Sequence, residues 1–234
     1  MATSGTYAFL MNRDGIIGAV LRRLEVIGAG DTIPPGDITN CAEALNVLVK
    51  GMVVEGLPLW CVEEIAIPMI AAQATYTIGP GSATPTRRPL RILDAFLRFS
   101  TGNDVDLQVV SRYDYNDLGL KTAQGTPNQL YYDPQLTNGV VTVYNAPFDN
   151  TTTLHIVIQR QIQDFNLSTD NPDFPQEAYQ MLIWSLADEL SLEYGAKPHV
   201  IAMCASKAKT YRDAFMQFEQ EQTSCYFYPS GRKS

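Results

Sequence analysis

A chain of 234 residues with 45% apolar and 18% charged side chains can bury a large core without disulfides or metals, which excludes a disordered chain. Its 17 basic and 25 acidic residues leave a formal charge of −8 and a pI near 4.7. That balance argues against a dedicated nucleic-acid binder, which needs a basic field to capture phosphates, although it is compatible with an assembly that lets DNA pass.

One large domain, or one domain carrying an insertion, is the organisation expected at this length. The longest apolar run, Ile65 to Ala72, contains Pro68 and falls far short of the ~18–20 residues that span a bilayer. The opening MATSGTYAFL lacks a basic segment followed by an apolar one, so no secretory signal is expected. The sequons at Asn150 and Asn166 therefore carry little weight. Cysteines stand at 41, 61, 204 and 225 with no Cys-x-x-Cys among them. No disulfide framework is expected, and the protein is expected to mature in a reducing compartment.

The ends of the chain read as helices and its middle as sheet. From Asn12 to Ile27, the apolar residues Ile16, Ile17, Val20, Leu21, Leu24 and Ile27 recur at helical steps, and Gly28 is placed to stop the helix. Gly15 and Gly18 weaken it by up to ~1 kcal/mol each relative to alanine, so it needs tertiary support. Pro34-Pro35-Gly36 breaks the chain, and Asp37 is placed to cap a second helix. Its seam, Ile38, Cys41, Leu45, Leu48 and Met52, alternates steps of three and four. Gly56 and Pro58 are expected to end it.

Between Trp60 and Gln163 the pattern becomes that of strands. Glu64 to Ile67, Thr75 to Ile78, Arg91 to Phe99, Asp106 to Val110, Gly139 to Tyr144 and Thr153 to Ile158 are rich in β-branched and aromatic residues. Turn signals at 79–81, 102–104, 125–127 and 137–139 separate them, and a short helical turn is expected at Tyr113 to Leu118. Helices return after Asn171-Pro172, with Pro175 suited to the first helical position. Tyr179, Leu182, Ile183, Leu186, Leu190 and Tyr194 form one buried stripe that Gly195 ends. Pro198 opens a last helix with Ile201, Cys204, Ala208, Tyr211, Phe215 and Phe218 on one face. The segment after Glu221 has no periodicity and carries Tyr226-Phe227-Tyr228-Pro229 and Arg232-Lys233.

The expected fold is α+β. An antiparallel helical bundle of N- and C-terminal helix pairs holds a central antiparallel β insertion and is followed by an extended C-terminal tail. The boundaries are 1–59, 60–163, 164–220 and 221–234.

Motifs of catalysis are sparse. Gly28-Ala29-Gly30 lacks the third glycine of a dinucleotide loop and follows a helix. His155 and His199 have no ligand at metal-binding spacing, and each reads as structural. Asp104-x-Asp106 lacks the glycine and distal glutamate of a calcium loop. Glu63 and Glu64, and Asp188, Glu189 and Glu193, could serve a glycosidase only if one were desolvated, whereas solvated faces explain them simply. No catalytic residue, metal or cofactor is assigned.

Two features point towards partners. Arg87, Arg88, Arg91 and Arg98 cluster at the start of and along one strand. They either meet an acidic partner or a phosphate backbone, or they guard an edge strand against aggregation. The aromatic tail either folds back on its own subunit or orders on a partner, with Arg232 and Lys233 at an acidic rim.

The order of several short motifs is similar to that of the head-to-tail adaptors of short-tailed bacteriophages, also called tail accessory factors or packaged-DNA stabilisation proteins. The similarity runs through Arg13-Asp14-x-Ile16-Ile17 with Leu21-Arg22-Arg23-Leu24, and through Ala42-x-Ala44-Leu45-Asn46-x-Leu48-Val49-Lys50 with Gly56-Leu57-Pro58-Leu59-Trp60. It continues in Ala74-x-Tyr76-x-Ile78-Gly79-x-Gly81, in Arg88-Pro89-Leu90-Arg91-Ile92, and in Asp173-Phe174-Pro175 with Leu186-Ala187-Asp188-Glu189-Leu190 and Tyr194-Gly195. The resemblance implies a structural virion protein without enzymatic activity, made in the host bacterial cytoplasm and resident at the tail connector. Such an adaptor binds the portal ring after DNA packaging, extends and helps seal the channel, and forms the platform for the tail nozzle and fibres or spikes. Its copies would form a ring, expected to number twelve, through which DNA passes without sequence-specific binding.

The resemblance also implies a portal-binding tail, here Tyr226, Phe227, Tyr228, Arg232 and Lys233. Arg87, Arg88 and Arg91 remain candidates for contact with a partner or DNA. Two other functions fit the composition: a peptidoglycan-degrading glycoside hydrolase, alone or as a second activity, and a binding module built on the β insertion.

Overall fold

The computed structural model describes residues 4–55, 59–84 and 86–218. These form five helices and two four-stranded sheets, a mixed α+β architecture. The chain divides into two compact units, Met1–Leu45 with Leu167–Ser234 and Asn46–Asn166.

The first unit is helical. Helix α1 (Arg13–Arg23) starts at Asn12, whose side chain accepts from the Gly15 amide at 2.9 Å. The first-turn amides of Arg13 and Asp14, which no intrahelical carbonyl can reach, donate to the carbonyls of Asp170 and Ser168. Ile16, Ile17, Val20, Leu21 and Leu24 are buried as expected. The helix ends earlier than the expected Ile27, and Gly28 is not its stop. Glu25 takes the left-handed conformation (φ 62°), and the amides of Glu25 and Val26 donate to Arg22 and Leu21, completing a Schellman cap. Residues 4–11 have no regular structure. The Gln176 carboxamide holds them by accepting from the Phe9 amide at 3.3 Å and donating to the Tyr7 carbonyl at 2.7 Å.

Helix α2 (Pro35–Glu55) begins two residues before Asp37, so Asp37 is not its cap and instead accepts from the Tyr194 hydroxyl at 3.1 Å. In its seam Cys41 and Leu45 are fully buried and Ile38, Leu48 and Met52 only partly, while Ala42 and Val49 join the core. Gly56 and Pro58 lie outside the described residues. Five helices include α3 (Arg112–Asp117), in the second unit, and α4 (Tyr179–Ser191) and α5 (Pro198–Phe218) here. Pro175 precedes a 3₁₀ turn, Gln176–Ala178, that leads into α4. Helix α4 packs against both α1 and α5. The expected α4 stripe is buried apart from a partly exposed Tyr194, and Met181, Ser185, Ala187 and Ser191 are buried as well. Gly195 (φ 61°) sits where the chain turns towards α5, with the amides of Gly195 and Ala196 donating to Leu192 and Ser191. Pro198 opens α5 as expected. Cys204, Ala208 and Phe215 are buried, but Phe218 is exposed and Val200 takes a core position instead.

The second unit is a sandwich of two sheets. Its strands are β1 (Val62–Pro68), β2 (Thr75–Ile78), β3 (Arg91–Arg98), β4 (Asp104–Asp106), β5 (Gln108–Val110), β6 (Gln129–Pro134), β7 (Gly139–Tyr144) and β8 (Thr153–Gln159). One sheet has the order β1-β8-β3-β4 and the other β2-β7-β6-β5. Side chains of both, among them Ile67, Tyr76, Ile78, Leu97, Leu130, Val141, Val143, Leu154, Ile156 and Ile158, form one apolar cluster. Leu154, Ile156 and Ile158 share its face of β8, as their alternation predicts.

Three features differ from expectation. Asp106 to Val110 is not one strand of one sheet: β4 pairs with β3, β5 pairs with β6, and the buried Leu107 marks the crossing. The insertion is not wholly antiparallel, because β5 and β6 run parallel; the connection between them contains α3, as a parallel pair requires a crossover. Strand β6 was not expected at all. The two compact units divide inside α2, between Leu45 and Asn46. There the Asn46 carboxamide donates to the Phe165 carbonyl at 3.0 Å and accepts from its amide at 2.8 Å. Lys50 donates to the Ile162 carbonyl at 2.7 Å and pairs with Asp164 at 2.6 Å. The chain entering the sandwich is thereby tied to the chain leaving it.

At the β6–β7 hairpin Gly139 lies against the Tyr132 ring, and a Cβ there would collide with that ring. The Tyr132 hydroxyl donates to the Pro89 carbonyl at 2.6 Å, and burial pushes its phenol up to about 12. Gly139→Ala is therefore expected to destabilise the protein by about 1–3 kcal/mol, the usual cost of overpacking. The midpoint of urea unfolding checks this; an unchanged midpoint would mean that the ring moves aside freely.

Candidate functional site

The residues with the strongest partner-binding signals in the sequence fall in two places. Tyr226, Phe227, Tyr228, Arg232 and Lys233 lie outside the described residues, as does Cys225. The arginines lie in the sandwich, where the structure separates their roles.

Arg98 is not the guard of an open edge. Strand β3 is flanked by β8 and β4, and Arg98 forks onto Asp104 of β4 at 2.8 and 2.7 Å with its guanidinium over the Phe96 ring. The Arg98 fork holds the Asp104 carboxyl below its ordinary range. Arg91 donates from Nε to the Gln159 side chain at 2.5 Å. Arg87 and Arg88 make no ion pair among the described residues.

Arg87 and Arg88 stand on the connection from β2 to β3. Its end is fixed by the Tyr132 bond to Pro89 and by the Leu90 amide, which donates to the Gln159 carbonyl at 2.8 Å. Both line a groove of about 380 Å³ with Lys50, Leu136, Gln161 and Asn166. Arg87 also lines an adjoining hollow of about 500 Å³ with Glu63. Arg91 lines neither. Sequence reasoning missed Lys50, Leu136, Gln161 and Asn166, which only tertiary closure brings to the arginines. The one local signal was Leu136, an apolar residue in the turn between two strand patterns, and it is 95% exposed.

The titratable groups named as chemical candidates are dispersed. His155 Nδ1 lies 2.5 Å from Glu64 Oε1, and its ring stacks on Phe96 with centroids 4.9 Å apart. His199 is exposed near the start of α5. Among the described residues no group of three or more histidine, cysteine or acidic side chains is arranged to hold a metal ion, and no helix is long and apolar enough to cross a membrane. Cys41, Cys61 and Cys204 are buried and form no disulfide. Burial pushes the Cys41 thiol up and holds the Tyr194 phenol beside it well above its ordinary range, so both groups stay protonated near neutral pH.

Burial raises the Glu189 carboxyl, Arg212 opposes that, and Asp188 adds to it. A carboxyl raised by folding favours the folded state when protonated, so its ionisation costs stability as pH rises through the unfolded and then the folded value. Glu189→Gln is expected to raise the thermal midpoint at pH 7 and to leave it unchanged below about pH 4, where the carboxyl is protonated in both states. Equal midpoints at pH 7 would refute this.

No protein-family model matches the chain, and no curated protein matches it.

Proposed function

We propose that the chain is a non-enzymatic virion protein, a head-to-tail adaptor of a short-tailed bacteriophage. It binds the portal ring after DNA packaging, extends and helps seal the channel, and carries the nozzle and fibres or spikes. The observation that carries this reading is the layout of the chain. Residues from both ends build one helical unit, a sandwich is carried as an insertion between them, and α5 leads towards the aromatic, basic C-terminal segment. The adaptors that the chain resembles are alike in having a helical domain, a β insertion and a C-terminal extension, and in this reading the helical unit is the antiparallel bundle expected from the helix spacing.

In this reading Tyr226, Phe227, Tyr228, Arg232 and Lys233 form an extension that orders in grooves of the portal, aromatic rings in pockets and cations at the rim. Copies assemble as a ring of twelve in the virion. At −8 per copy the ring is acidic, and acidic charge on a channel wall repels phosphate and limits sticking during ejection.

Sedimentation of the full chain and of a chain ending at residue 220, each with the portal ring of the same virus, tests the proposal. The full chain is expected to join the ring stoichiometrically and the truncated chain to remain free. Phe227→Ala with Tyr228→Ala is expected to weaken binding without lowering the thermal midpoint of the isolated protein. Failure of the full chain to join the ring would refute the adaptor reading.

A further inference from the structure

We infer that the groove beside Arg87 and Arg88 is a docking site for an acidic peptide segment of a partner protein, in which carboxylates flank an apolar side chain. The inference rests on the groove alone and uses neither the C-terminal segment nor the portal.

Three observations carry it. The first is charge. Arg87 and Arg88 have no ion pair among the described residues, whereas the third cation, Lys50, is held by Asp164 and the Ile162 carbonyl. The free donors are therefore guanidiniums, whose planar forks match carboxylates two bonds at a time. The second is rigidity. The chain that carries the arginines is anchored next to them through Pro89 and Leu90, and the Lys50 side chain that also lines the groove is held by the Ile162 carbonyl, so binding has less of the lining to order. The third is shape. The volume of about 380 Å³ lies in the roughly 300–1,000 Å³ range of ligand clefts. Leu136 offers an almost fully exposed apolar surface on it, and Gln161 lines it with a polar side chain.

The same features disfavour nucleic acid. Among the described residues the lining contains no aromatic ring on which a base could stack, and it includes Asp164, with Glu63 in the adjoining hollow. A continuous phosphate chain would meet those carboxylates, while a peptide can space its acids to avoid them. The acidic chain as a whole also supplies no field to hold a polyanion.

The test is fluorescence anisotropy of the full chain with a fluorescein-labelled peptide GELEGELEG, its glutamine counterpart GQLQGQLQG, a DNA duplex and inorganic phosphate. Saturable binding of the acidic peptide is expected, with none of the glutamine peptide. Arg87→Gln is expected to weaken it by about tenfold, the loss of a charge-assisted pair. Arg87→Ala with Arg88→Ala is expected to abolish it, and Leu136→Ala to weaken it several-fold. Because Arg87 is exposed, the single variant tests the site even if the double variant folds poorly. Absence of saturable binding would overturn the proposal, as would equal affinity of Arg87→Gln. Displacement of the peptide by duplex at lower concentration than by phosphate, at equal charge, would also overturn it and assign the groove to DNA.

Discussion

Ile156→Ala is expected to cost about 2–5 kcal/mol, the range for removing a large aliphatic side chain from a core that cannot close up. Strand β8 lies between β1 and β3, and Ile156 is in register with Ile65 on one side and Ala95 on the other. It is fully buried, and so is Ala95. With Ala95 on one side, Ile65 is the only one of the two register partners with a long side chain, so the vacated space closes only in part. The midpoint of urea unfolding at unchanged slope is the measurement. Val157→Ala, on the opposite and partly exposed face of the same strand, is expected to cost clearly less. Equal losses would mean that the two sheets do not pack through the face bearing Ile156.

Leu186→Ala is expected to produce a loss of similar size, about 3–5 kcal/mol, in the helical unit. Helix α4 packs against both α1 and α5, and Leu186 is fully buried with Ser185 and Ala187 buried on either side of it. A helix buried around most of its circumference cannot tilt towards solvent to collapse a cavity. Hydrogen exchange is the informative readout. Amides of α1, α4 and α5 should lose protection together, as one cooperative unit, rather than α4 alone. A loss below about 1 kcal/mol would contradict the close packing on which this rests.

What was legible in the sequence was whatever a local rule controls. The stripe of α4 and the stop at Gly195 follow from helical period and a left-handed turn. The inward face of β8 follows from alternation. Long-range pairing was not legible. Strand β6 is short, lies between Pro127 and the hairpin, and carries two half-buried tyrosines, Tyr131 and Tyr132, so it shows little alternation. The crossing at Leu107 leaves no mark, because a strand that changes sheets keeps its β-rich composition. Glu25 stops α1 because the Schellman bonds outweigh the cost of a left-handed glutamate, a balance that composition hides. In the candidate site the structure places Arg87 and Arg88 on one groove, and the sequence singled them out as part of a cluster of arginines. It could not separate them from Arg91 and Arg98, whose partners Gln159 and Asp104 are set by strand register.

The reciprocal pair of hydrogen bonds between Asn46 and the Phe165 backbone has a consequence for inheritance. A side-chain amide that mimics a peptide group closes the sandwich at its base, so the two points where the chain crosses into it behave as a single seam. Ends that meet in this way are where whole segments are exchanged with least disturbance to the host framework. An inherited change in the length or the loops between these two residues is therefore expected to disturb the flanking helices least where the Asn46 bonds are kept.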